Sequence, residues 1–159
     1  MGAEGDRVAQ RFERGSRAFA VMEAGKVVSY GWLSTEPEWI GELGLEISPA
    51  DGEGYVWNCL TLPDHRRHGH YRALLEGVVA WARGEGLQRL WIGSIEDPAE
   101  KADADVGFAP VLFFESTTVF GWRILRARAA PDADRELVRA ARARIRPWRV
   151  VDRSRHLVH

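Results

Sequence analysis

The chain has 159 residues, 45% of them hydrophobic and 28% charged, with a formal net charge of −1. That length suits one globular core and excludes two comfortable domains. No apolar run reaches the roughly 18 residues that a membrane-spanning helix needs, and Arg7, Arg11, Arg14 and Arg17 interleave with acids where an export signal would have its apolar core. A cytoplasmic protein without membrane contact is expected. The single cysteine, Cys59, allows no intrachain disulfide and, set in an apolar strand, reads as core filler and not as a nucleophile.

In chain order, residues 6–12 predict a short helix. Residues 17–23 and 27–34 predict two strands joined at Ala24-Gly25-Lys26, a hairpin. A polar connection, 35–54, carries Trp39, Ile40, Leu43, Leu45 and Ile47 and suits a partial strand and a substrate-facing loop. Residues 55–62 are an apolar strand that ends at Pro63, which cannot donate to a ladder. Leu74, Leu75, Val78, Val79 and Ala82 recur at helical spacing, predicting a helix over 69–83 that stops at Gly84 and Gly86. Residues 89–95 form a second apolar strand, so strand, helix and strand make a crossover that demands a parallel pair beside the antiparallel hairpin. A weak helix over 97–106, the turn Gly107-Phe108 and one or two strands over 111–125 follow.

Between the 55–62 strand and its helix lies Arg66-Arg67-His68-Gly69-His70-Tyr71-Arg72. A basic loop pivoting on glycine can aim free amides and the positive end of a helix at one anion, as a diphosphate requires. A P-loop needs a Lys-Ser/Thr pair opening the helix, and none is present. A dinucleotide fingerprint needs three glycines, and this loop has only Gly69. His68 and His70 suit phosphate contact better than proton transfer, and no histidine spacing with acidic partners points to a metal.

The pattern Arg/Gln-x-x-Gly-x-Gly/Ala, met here as Arg66, Gly69 and the run Arg72-Ala73-Leu74-Leu75, resembles the coenzyme A loop of the Gcn5-related N-acetyltransferase (GNAT) superfamily. Tyr71 departs from it, standing where a second small residue is usual, so its ring is expected to point away from the diphosphate. The resemblance covers roughly residues 8–125 and lacks the strand and helix with which the family usually begins. It implies an α/β (α+β) fold with a mixed, mostly antiparallel sheet flanked by helices and a parallel central pair splayed for CoA. It also implies acetyl-CoA as cosubstrate, held by Leu60, Thr61, Leu62, Arg66, Arg67, His68, Gly69, His70, Tyr71 and Arg72. The implied activity is direct transfer of an acetyl group to a primary amine on a small molecule or peptide.

The acid–base positions depart from the family. Where its histone acetyltransferases place a glutamate base stands Tyr55, which is equally a packed strand aromatic. Where many members carry a tyrosine acid, four residues before Gly107, stands Asp103, expected to be a solvated helix residue. The catalytic candidates are therefore Tyr55, Asn58, Ser94 and Glu115. Desolvation by Phe113, Phe114 and Val119 would suit Glu115 as a base, and simple alternation would turn it to solvent. A catalytically degenerate CoA-binding module is the alternative reading.

From Arg123 onward the chain has 11 arginines against Asp132, Asp134, Glu136 and Asp152, a basic tail on an acidic body. The expected division is a CoA-binding domain over 1–125 and a basic extension over 126–159, containing a helix over 132–146 and a strand at 148–151. The extension is expected to pack on the body or on a second copy in a homodimer. Pairing of its arginines with the acidic body is favoured over nucleic-acid binding.

Overall fold

In the computed structural model, which describes residues 3–41, 43–94, 97–119 and 122–147, helix α1 (Ala3–Glu13) leads into strands β1 (Arg17–Glu23) and β2 (Lys26–Ser34). Ala24 and Gly25 turn the hairpin with φ of 48° and 76°, the positive pair that a tight loop between twisted strands prefers. The polar stretch expected to be mostly irregular contains two short antiparallel strands, β3 (Glu38–Ile40) and β4 (Leu45–Ile47).

Next come β5 (Glu53–Thr61), α2 (His70–Gly84) and β6 (Arg89–Ile92). They complete a sheet of order β1-β2-β5-β6, antiparallel except for the parallel β5–β6 pair that the crossover demanded. The chain continues through α3 (Asp97–Val106), the antiparallel pair β7 (Leu112–Val119) and β8 (Trp122–Ala129), α4 (Arg135–Arg144) and β9 (Ile145–Pro147). No helix among the described residues is long and apolar enough to cross a membrane.

Both faces of the β5–β6 pair are covered, which is why β5 is buried continuously from Glu53 to Val56. On one face Leu33 and Val56 meet Leu75 and Val78 of α2, with Phe19, Trp81, Leu90 and Val106 around them. On the other, Tyr55 and Trp91 meet Ile47 of β4 and Ala141 of α4. Each large apolar side chain so buried contributes about 1.5–3 kcal/mol.

The C-terminal segment differs from its expected boundaries for local reasons. The Asp134 carboxylate accepts from the amides of Glu136 (2.8 Å) and Leu137 (3.0 Å), an N-cap that starts α4 three residues later than periodicity suggested. Ile145 turns extended, and β9 pairs with β4 of the same chain to give a sheet of order β3-β4-β9. The strand expected at 148–151 lies outside the described residues.

Candidate active site

The basic loop before α2 takes its shape from two left-handed residues. After the 3-10 turn Pro63–His65, Arg67 has φ of 65° and Gly69 has φ of 80°, and α2 begins at once with the Ala73 amide bonding the Gly69 carbonyl at 2.9 Å. A Cβ built on Gly69 meets nothing within 4 Å, so glycine is favoured there by backbone conformation and not by crowding. The first amides of α2 have no partner inside the helix, and they point with the positive end of its dipole at this turn. Arg66, Arg67 and His68 are exposed beside it. Arg66 Nε donates to the Thr61 carbonyl at 3.3 Å, and Arg72 pairs with Glu76 one helical turn on at 2.9 Å.

The strands beside the loop part company. β5 pairs with β6 only from Glu53–Arg89 to Val56–Ile92. Immediately beyond, β5 bulges: Trp32 opposes Trp57 and Tyr30 opposes Leu60, so Asn58 and Cys59 together face Gly31. Asn58 absorbs the kink with φ of 47°. Gly31 allows it, because a Cβ there would stand 2.6 Å from Cys59 Sγ. Beyond Val56, no strand among the described residues pairs with β5 on its β6 side.

The direction of that edge differs from the expectation, implied by the family resemblance, that the backbone of Leu60 and Leu62 holds the pantetheine arm. Leu62 donates its amide to the Val28 carbonyl of β2 at 2.9 Å. Backbone groups alternate along a strand, so Leu60 also faces β2, and the intervening Thr61 turns its N–H and C=O away from β2, the C=O accepting from Arg66 Nε.

Residues 3–104 match the model of the acetyltransferase (GNAT) family. The chain belongs to that family. No curated protein matches it. Among solved structures it is similar to a protein from Agrobacterium tumefaciens strain C58 assigned to the acetyltransferases, with a TM-score of 0.54 and 20% identity over 69% of this chain and 73% of that one. The aminoglycoside N-acetyltransferase AAC(6')-Iy, bound to a bisubstrate analogue, matches with a TM-score of 0.51 and 18% identity over 72% and 81%. Glucosamine-6-phosphate N-acetyltransferase from Arabidopsis thaliana matches with a TM-score of 0.51 and 10% identity over 74% and 75%. At these identities the likeness is one of fold.

Within this GNAT fold Asp103 is not solvated. It is 6% exposed, and it accepts from the Tyr71 hydroxyl at 2.9 Å and from the Ser94 hydroxyl. Tyr71 therefore turns its ring towards α3, away from the loop, as a bulky residue at that position must. Burial first, then the Asp103 charge, pushes its hydroxyl well above the ordinary tyrosine range. The candidate Ser94 and Asp103, expected to be a solvated helix residue, are instead joined in one hydrogen-bonded cluster with Tyr71.

The remaining GNAT candidates fall in different surroundings. Tyr55 is buried, with its hydroxyl 3.2 Å from a Cβ built on Gly93, just before Ser94. The Asn58 amide oxygen, turned towards Arg11, accepts from its Nη1 at 2.9 Å. Arg11 also lies 5.0 Å from the Trp32 ring centre and 4.6 Å from that of Trp57, a cation seated on two indoles that sequence reasoning missed. Glu115 is exposed and paired with Arg128, so the desolvation that would tune a base is absent. Burial, then the Asp103 charge, pushes the Cys59 thiol up to about 12, which leaves it protonated and inert.

Proposed function

We propose that this GNAT chain transfers an acetyl group from acetyl-CoA to a primary amine in the cytoplasm, with residues 1–125 as the cofactor-binding unit and 126–159 as an extension packed on it. The observation that carries the reading is the conjunction of the Gly69 turn with the bulged edge of β5, which no strand among the described residues pairs on its β6 side beyond Val56. The helix amides and Arg66 and Arg67 suit a diphosphate, and the N–H of Thr61, which points away from β2, suits an extended pantetheine that adds like a strand, the Thr61 C=O being bonded to Arg66 Nε.

Bound acetyl-CoA supplies a thioester whose acyl carbon an amine attacks, with the C–S bond breaking and the CoA thiol leaving. The protein's part is to hold that carbonyl near the Cys59–Thr61 backbone, where an N–H stabilises the growing oxyanion. The attacking amine must first lose a proton, and the candidates to take it are Tyr55, Asn58 and Ser94. Arg11 covers the Trp32 and Trp57 faces, so a cationic acceptor that used them would have to displace its guanidinium.

A second reading, CoA binding without turnover, is favoured by Asp103. It occupies the position of the usual tyrosine acid, yet its carboxylate is buried and bonded to Tyr71 and Ser94.

Calorimetric titration with acetyl-CoA tests both readings. Micromolar binding that Gly69→Glu abolishes is expected, followed by thiol release on adding amines. Binding without thiol release across polyamine, aminoglycoside and peptide amines would select the second reading. No binding by the wild-type protein would overturn both.

A further inference from the structure

Three segments distant in sequence bring nitrogen and oxygen donors to one point beside the cofactor loop. Glu23 ends β1, His65 ends the 3-10 turn, and His70 opens α2. His65 Nδ1 lies 2.8 Å from Glu23 Oε2, and His70 Nε2 lies 3.7 Å from the same oxygen. All three donor atoms fall within 4.8 Å of one another.

We propose that Glu23, His65 and His70 form a site for a divalent transition-metal ion of the zinc class, which ties the cofactor loop to the end of β1. A tetrahedral zinc ion with bonds of about 2.0–2.1 Å sets its ligand atoms roughly 3.3 Å apart, between the two separations found here. Small side-chain adjustments close the difference. Two imidazoles and one carboxylate suit Zn²⁺, Co²⁺ or Ni²⁺, whereas Mg²⁺ and Ca²⁺ prefer oxygen alone. Glu23 is exposed and His65 and His70 are half-buried, so an ion has a path from solvent. Three protein donors leave a fourth position for water or an anionic oxygen. His68, whose ring centre lies 5.9 Å from that of His70, is the nearest further imidazole shown. Sequence reading expected no metal because Glu23 stands 42 positions from His65, a pairing that only the fold supplies.

The competing account is a plain Glu–His ion pair, which needs no ion and is strengthened by histidine protonation; metal binding instead needs neutral imidazoles and weakens as pH falls. The full chain, stripped with a chelator and free of acetyl-CoA, is titrated with Co²⁺ and followed by visible absorption. The expected result is saturable binding of a single equivalent with the strong absorption of a tetrahedral site, displaced by Zn²⁺. Loss of a supporting outer-shell contact alone weakens metal sites about 10–100-fold, so His65→Ala, His70→Ala and Glu23→Gln should each weaken binding at least tenfold. The double variant His156→Ala/His159→Ala should bind normally, and circular dichroism of each variant reports that the fold is kept. Zn²⁺ should raise the melting temperature of the wild type and not of His70→Ala. No Co²⁺ binding at micromolar protein, or binding that survives both His65→Ala and His70→Ala, overturns the proposal. Because the titration is run without acetyl-CoA and reads the metal alone, its failure would leave the proposed acetyl transfer untouched.

Discussion

Arg144 donates to the Glu53 carboxylate through Nε at 2.7 Å and through Nη2 at 3.3 Å, a contact that joins positions 91 apart. Arg89 (3.0 Å) and the Trp91 indole N–H (2.9 Å) converge on the same group, which is only 5% exposed. A buried carboxylate with so many donors is well compensated, and removing it would leave two partly exposed guanidinium groups without this partner. The pair fastens α4 to the central strand just where β9 joins β4. At this point the basic extension meets the acidic body by ion pairing.

Acid should loosen that fastening. Burial pushes the Glu53 carboxyl up, but hydrogen bonds from Arg144, Trp91 and the Ala50 amide, with the Arg144 charge, outweigh it and bring it from 4.5 down to about 2. Its folded-state value is depressed, so its contribution is complete above the ordinary carboxylate range and is lost as pH falls towards 2. The shift corresponds to about 3 kcal/mol. Urea unfolding at pH 7 and pH 3 should show a stability drop in the wild type that Glu53→Gln reduces. Equal drops in the two proteins would assign the acid sensitivity elsewhere.

The Cys59 thiol should be inert in the native state. With its proton held to about 12, it has almost no thiolate at pH 8, whereas an ordinary cysteine is substantially ionised there. Iodoacetamide should therefore label the native protein orders of magnitude more slowly than the urea-unfolded chain. Because the chain has one cysteine, mass spectrometry reads this site alone. Rapid native labelling would mean that the strand opens at the bulge.

Tyr71→Phe should destabilise the fold without creating a large cavity. It removes the hydroxyl that Asp103 accepts and leaves a buried carboxylate with one partner fewer. Loss of one partner from a buried polar group costs about 1–3 kcal/mol, more for a charged one. Denaturant melts of Tyr71→Phe, Asp103→Ala and the double variant form a cycle. Full additivity of the two losses would show that the residues do not interact.

Local physics made much of this protein legible from its residues. The stripe Leu74, Leu75, Val78 and Ala82 is the buried face of α2, because helical period and burial are the same statement for an amphipathic helix. Gly69 marks the loop because few other residues adopt its backbone conformation. The strand–helix–strand order required a parallel pair, which β5 and β6 form. These features follow from interactions among neighbours along the chain. Boundaries followed less well: the competing signals at Asp134 and Ile145, a cap and a strand partner, shortened the helix that periodicity alone extends.

Only the tertiary structure decided which distant groups meet. That Glu53 takes Arg144, that Tyr71 turns to Asp103, that Arg11 rests on Trp57 and that Glu23 faces His65 leave no trace in local pattern. Each charge or hydroxyl reads in sequence as surface, and becomes buried or paired only when the sheet brings remote segments together. The same closure turned Thr61, and not Leu62, away from β2, because strand register sets backbone direction and register is a property of the partner strand.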